Sequence, residues 1–165
     1  MIWLLLLPTS LLMTVLGYVL APILPLFASV DGWLPRWLWW FQTPDNSLDG
    51  DADWRARNLP RYVGRVGWLL RNPAYGYDWG VLAAHIAPDA PFACYGNPEV
   101  QDHPLFAPGW VIFRHGDYWR FYLVWPSFPG RYLRVNLGWK ITPDRQNDPC
   151  QFVFSGNPFM ARPAK

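Results

Sequence analysis

The sequence predicts an α+β protein: an N-terminal transmembrane helix, then a small domain with a basic amphipathic helix and an antiparallel β meander. Three observations predict it. Residues 1–28 contain no Asp, Glu, Lys, Arg or His. Between Leu59 and Leu70, apolar residues recur at helical spacing beside a row of arginines. From Trp110 onward, aromatic and β-branched runs are separated by turn residues.

Composition narrows the alternatives. Of 165 residues, 52% are hydrophobic and only 16% charged, whereas soluble domains carry roughly 25% charged residues. The 18 Pro and 13 Gly argue against a helical bundle or coiled coil, because both residues break helix interiors. A net charge of +2 gives no reason to expect a nucleic-acid partner. Two cysteines, Cys94 and Cys150, are too few for a disulfide framework; in a cytoplasmic domain they read as two buried thiols, with a single bridge between them as the alternative.

The chain divides into an anchor over 1–28, an aromatic interfacial segment over 29–44 and an α+β domain over 45–165. The anchor, MIWLLLLPTSLLMTVLGYVLAPILPLFA, would span about 42 Å as a helix, against a hydrocarbon core of roughly 30 Å. A transmembrane helix over about Ile2–Leu24 is expected, with Pro8 inside it and Pro22 and Pro25 ending it. A cleaved signal peptide fits less well, since no basic residue precedes the run and Leu26-Phe27-Ala28 is a poor cleavage site. A buried core helix is the third reading.

Directly after the anchor stand Trp33, Arg36, Trp37, Trp39 and Trp40. Trp concentrates at membrane interfaces, where its ring is apolar and its N–H wants a partner. The segment therefore reads as an interfacial belt; core packing is the alternative. Arg36 and five further arginines up to Arg71 follow the span, which by the positive-inside bias places the C-terminal domain in the cytoplasm.

Residues 45–53 hold four Asp and no base, and residues 54–71 hold five Arg and no acid. Leu59, Tyr62, Val63, Val66, Leu69 and Leu70 define a helix, with Asn58 as its N-cap, Pro60 in its first turn and Asn72-Pro73 at its end. Arg57, Arg61 and Arg65 fall on another face, which suits either anionic lipid or water. Leu59, Val63, Val66 and Leu70 are expected to pack on the β meander.

Asp45, Ser47, Asp49, Asp51 and Asp53, with Gly50, match the oxygen positions of a calcium loop. Position 12, however, is Ala56 where a bidentate Glu belongs, and Pro44 precedes the loop in place of an entering helix. The competing reading is that these carboxylates bond loop amides and face the arginines. On that reading Asp49→Ala is expected to change stability little, with calcium or without it.

In the C-terminal half, Trp110–Arg114, Tyr118–Trp125 and Arg131–Lys140 read as three strands, with Gly116-Asp117 as a hairpin turn and Phe152–Phe154 as a fourth strand. Trp79–Ala87 is a short apolar run, helix or strand. Phe92-x-x-x-Gly96-Asn97-Pro98 is echoed by Phe152-x-x-x-Gly156-Asn157-Pro158, which reads either as two equivalent strand-to-turn exits or as ordinary turn chemistry recurring by chance. His85, His103 and His115 have no metal-pair spacing. No phosphate loop, zinc spacing, G-x-S-x-G or HExxH occurs.

The segments QTPDNSLDGDADW (42–54), RNPAYGY (71–77) and LGWKI (137–141) resemble a family of small uncharacterised proteins encoded by tailed bacteriophages and prophages. The resemblance implies a phage or prophage origin and a bacterial host, and it carries over no catalytic residue. Three functions are then in view. The leading one is a non-enzymatic membrane factor at the host inner membrane, with the lipid bilayer and a host or phage envelope protein as partners. The second is a virion structural component whose apolar N-terminus packs against other subunits. The third is a membrane-tethered hydrolase using Asp and His residues. Calcium is the only cofactor with any sequence support.

Overall fold

The computed structural model describes residues 2–100, 107–143 and 149–161. The protein is α+β, with helices and a five-stranded antiparallel sheet. It divides into two compact units, Met1–Leu82 and Ala83–Lys165. Residues 45–82 therefore cluster with the N-terminal helix, and the sheet lies wholly in the second unit.

The first unit opens with α1, Ile2–Leu20, which keeps Pro8 inside it. At about 28 Å it is long and apolar enough to cross a membrane by length and composition. Pro22 and Pro25 lack the N–H that would continue the helix, and the chain tightens into a 3-10 segment, Leu24–Phe27. A second 3-10 segment, Arg36–Phe41, follows. Then come α2 (Ala52–Arg55), α3 (Arg61–Arg71) and α4 (Tyr75–Gly80).

Ala21, Leu24, Leu34, Leu38, Phe41, Leu48, Trp68, Leu69 and Ala74 form this unit's core. Only one stripe of α1 is covered: Trp3, Ser10 and Gly17, seven residues apart. Gly17 is where α1 meets the turn after α3. A methyl group there would stand 3.2 Å from both Pro73 Cβ and Ala74 N. Ser10 donates its hydroxyl to Asp78 of α4 at 2.8 Å.

The α3 helix differs from its expected form. It starts at Arg61, because Pro60 is extended and sits at the N-cap. Asn58 is left-handed (φ 51°) in the link from α2 and caps nothing. The face that turns inward also differs from the expected one. Arg65, Trp68 and Leu69 are buried, whereas Leu59, Val63 and Leu70, expected against the sheet, are exposed. Val66 packs on the first unit's own core.

The second unit is an uncrossed meander of β1 (Phe92–Gly96), β2 (Gly109–His115), β3 (Tyr118–Pro126), β4 (Arg131–Trp139) and β5 (Phe152–Ala161). Gly116-Asp117 forms the two-residue turn that pairs His115 with Tyr118. The fourth expected strand is present and longer than expected, and β1 is a strand the apolar pattern did not reveal. Of the run Trp79–Ala87, the start completes α4, and Ala84 makes an isolated bridge to Cys150.

The repeated Phe…Gly-Asn-Pro pattern marks the two edge strands. Asn97 Oδ1 accepts from Glu99 N at 3.0 Å, and Asn157 Oδ1 accepts from Phe159 N at 2.9 Å. The outcomes differ: β1 ends at Gly96, while β5 runs on through Pro158. Arg134 faces Asn157 but Tyr132 faces Met160, so β5 holds one extra residue there. Cys94 and Cys150 are both free, and Cys94 is exposed where a buried thiol was expected.

Gly138 lets β3 and β4 approach. Its φ is +101°, and an added methyl would collide with the Trp119 carbonyl. Gly138→Ala is therefore expected to cost about 1–3 kcal/mol. Gly156→Ala, with nothing within 4 Å of the new methyl, should change stability by less than about 0.5 kcal/mol. Thermal unfolding followed by tryptophan signals separates the two; equal melting temperatures would refute the close-approach account.

Candidate functional site

Two features of the first unit carry chemistry: a half-buried ion pair and a bare apolar surface. The ion pair begins with the Asp-rich loop. Arg65 Nε donates to Asp49 Oδ1 at 2.7 Å, and Arg65 Nη2 donates to Asp49 Oδ2 at 3.1 Å. The same guanidinium donates to the Ser29 carbonyl at 3.3 Å and the Val30 carbonyl at 3.0 Å. Arg61 also donates to Val30 O and lies 3.7 Å from Asp49, while Arg55 donates to Gly50 O. The Arg65 hydrogen bonds hold the Asp49 carboxyl below its ordinary pKa. Partial burial opposes this, and the charges of Arg65, Arg61 and Arg55 add to the lowering.

The other loop residues go elsewhere. Asp51 N-caps α2 by accepting from Trp54 N at 2.8 Å. Ser47 Oγ accepts from Asp49 N at 3.3 Å. Asp45 and Asp53 are exposed. Among the described residues, no three His, Cys, Asp or Glu side chains come together as a metal site. The alternating Asp spacing is used for an N-cap and an ion pair.

Arg57, Arg61 and Arg65 do not form one solvated helix face. Arg57 precedes α3 and stacks on Trp54, with its guanidinium 4.5 Å from the ring centre. Arg61 is exposed at the first helical position, and Arg65 is buried. The late start of α3 leaves Arg57 outside the helix. A cleft of about 310 Å³ opens beside the pair, lined by Asp49, Trp54, Arg55, Asn58, Arg61 and Arg65. Three guanidiniums face one carboxylate there. That carboxylate is held ionised and bonded to Arg65, which makes it a poor proton acceptor. Of the histidines, His85 is exposed, His115 is buried edge-on to Phe92 at 5.8 Å, and His103 lies outside the described residues.

The apolar surface is the larger feature. Opposite its covered stripe, α1 exposes Ile2, Leu4, Leu5, Leu11, Leu12, Val15, Leu16, Tyr18 and Val19. At 3.6 residues per turn these positions sweep an arc of roughly 200°. The exposure continues after α1: Leu26 is 72% exposed and Val30 78%. In the aromatic segment, Leu34, Leu38 and Phe41 turn into the core, Trp33, Arg36, Trp37 and Trp40 stay outside, and Trp39, 37% exposed, lays its ring against Gly76 and Gly80 of α4. Trp37 meets Phe27 edge-on at 5.8 Å, and Trp40 meets Tyr77 of α4 at 6.0 Å.

Because Arg65 is buried, Asp49 matters more than surface-pair reasoning suggested. Asp49→Asn strands a buried guanidinium charge and should cost about 2 kcal/mol at neutral pH. A carboxyl whose pKa is lowered on folding stabilises above its unfolded value of about 3.9, and the contribution fades as pH falls through the lower folded value. The gap between wild type and Asp49→Asn should thus be full at pH 5–7 and shrink below about pH 4. Urea unfolding across that range, with calcium and with chelator, is the measurement; a gap that grew on acidification or appeared only with calcium would contradict it.

No curated protein and no solved structure matches the chain. A family of unknown function, DUF7338, matches residues 1–164, from the chargeless helix through the last strand. The apolar helix, the Asp–Arg joint and the meander thus fall within one family description, and the chain belongs to that family.

Proposed function

We propose that this chain is a membrane-attached, non-enzymatic protein of phage or prophage origin that holds its domain at the cytoplasmic face of a bacterial inner membrane. The observation that carries this reading is the bare half of α1. Nine large apolar or aromatic side chains on one helix face water in the isolated chain. Soluble proteins rarely leave so large an apolar patch uncovered. Lipid is the natural cover, because these residues are mostly branched aliphatics and lie in a segment without charge.

The exposed tryptophans after α1 support an interfacial position, and Arg36 and Arg61 support a headgroup layer that is anionic. The phage or prophage origin rests on the resemblance of 42–54, 71–77 and 137–141. With no group in the Asp–Arg cleft suited to proton transfer, contact with lipid or with an envelope protein is the role proposed.

Fractionation of cells producing the full chain tests the proposal. The protein should remain with inner membranes through a carbonate wash and leave with detergent. Leu5→Asp combined with Leu12→Asp changes two exposed positions and should move most of the protein to the soluble fraction. Wild-type protein in the wash supernatant would overturn membrane attachment. Stoichiometric protein in purified phage particles, with none in membranes, would select the virion component instead.

A further inference from the structure

The geometry of α1 against its own unit points to the manner of attachment. We infer that α1 lies in the plane of the membrane, with its exposed apolar half sunk into the cytoplasmic leaflet, so that the chain attaches without crossing. This rests on the membrane attachment proposed above and differs from the single-pass span the sequence predicts.

The argument starts from what α1 touches. Ser10, near the middle of the helix, is hydrogen-bonded to Asp78 of α4 at 2.8 Å. Gly17 packs on Pro73 and Ala74, at the turn between α3 and α4. The helix contacts both α3 and α4. From Ser10 to Gly17 is about 10 Å along the axis, so the contact runs along the helix and not at its end. The unit therefore lies beside α1.

A helix standing across the bilayer would carry these neighbours with it. Asp78 would sit near the bilayer centre, level with Ser10. Pro73 and Ala74, packed on Gly17, would be drawn in below the end of α1, with Arg71 two residues before them. Ionisable groups at that depth are strongly disfavoured, and irregular backbone there has no water to satisfy it. Turned parallel to the surface, the same helix puts its bare arc into the acyl boundary and keeps α3 and α4 on the aqueous side.

The choice of lipid over a second protein follows from residue type. Small residues let helices approach closely, and α1 places Ser10 and Gly17 on the covered stripe. Its exposed arc is mainly Ile, Leu, Val and Tyr, side chains that suit fluid acyl chains, with Pro8 and with Thr9, whose hydroxyl donates to the Leu6 carbonyl. Charge agrees. Arg61, exposed, bonds the carbonyl of Val30, and Arg36 sits beside Trp37, so guanidiniums stand where the apolar segment ends. The α1 helix itself carries no charge, so it is these neighbouring cations that would meet an anionic headgroup layer.

Protease protection in sealed vesicles distinguishes the arrangements. The full chain carries one epitope tag at each end, and inner membranes are prepared as inside-out vesicles. In-plane attachment predicts that protease removes both tags from vesicle-bound protein, and that neither is removed in intact spheroplasts. Loss of the C-terminal tag alone from inside-out vesicles, with the N-terminal tag protected, establishes a span and overturns the inference while leaving attachment intact. Vesicle-bound protein that lacks the N-terminal tag before protease is added has been cleaved, and also overturns it. Loss of both tags in spheroplasts places the protein on the outer face and overturns the choice of leaflet. Protein absent from the vesicles altogether defeats the attachment reading itself.

Discussion

The Arg65 guanidinium is the joint on which the first unit depends. It bonds both oxygens of Asp49 and the carbonyls of Ser29 and Val30. One side chain thereby ties α3, the Asp-rich loop and the exit of the apolar segment into one body. Only a planar fork with several N–H donors can do this; a lysine would supply one point charge. Leu48 N reinforces the joint by donating to the Gly32 carbonyl at 2.8 Å. The apolar segment is consequently built into the unit, and residues 29–50 do not act as a slack tether.

What the sequence could reveal followed the range of the interaction. The meander was legible because β2, β3 and β4 are joined by short turns, and period-two patterning fixes their faces locally. The chargeless run was legible because its signal is additive over many residues. By contrast, β1 is five residues among Pro and Gly, and only pairing with β2 makes it a strand. The start of α3 was misplaced because Asn58 and Pro60 both suit a helix start, and tertiary contacts decide between them. The amphipathic pattern also says that a face is covered but not by what. Hence α3 was assigned to the sheet although its inward residues belong to the N-terminal core.

The Asp-rich loop shows the same limit at a site. Oxygen donors at alternate positions are what a cation needs, and also what an N-cap and an Arg partner need. The difference lies in where Arg65 points, a property of the fold. Ser10 and Gly17, small residues seven apart in a run of Leu and Val, mark the stripe by which α1 meets its neighbours.

The sheet's edges bear on how copies of the chain meet one another. A surface that gathers many copies in two dimensions raises their local concentration, and open strand edges then invite copies to pair and aggregate. Here β1 offers five residues, and β5 breaks its ladder at the extra residue beside Pro158, which has no N–H to donate. Ser127 Oγ bonds the Pro158 carbonyl at 2.7 Å, and Phe128 stacks on Phe159, fixing that break to the β3–β4 turn. Each edge thus offers a second copy only a short or interrupted run of strand.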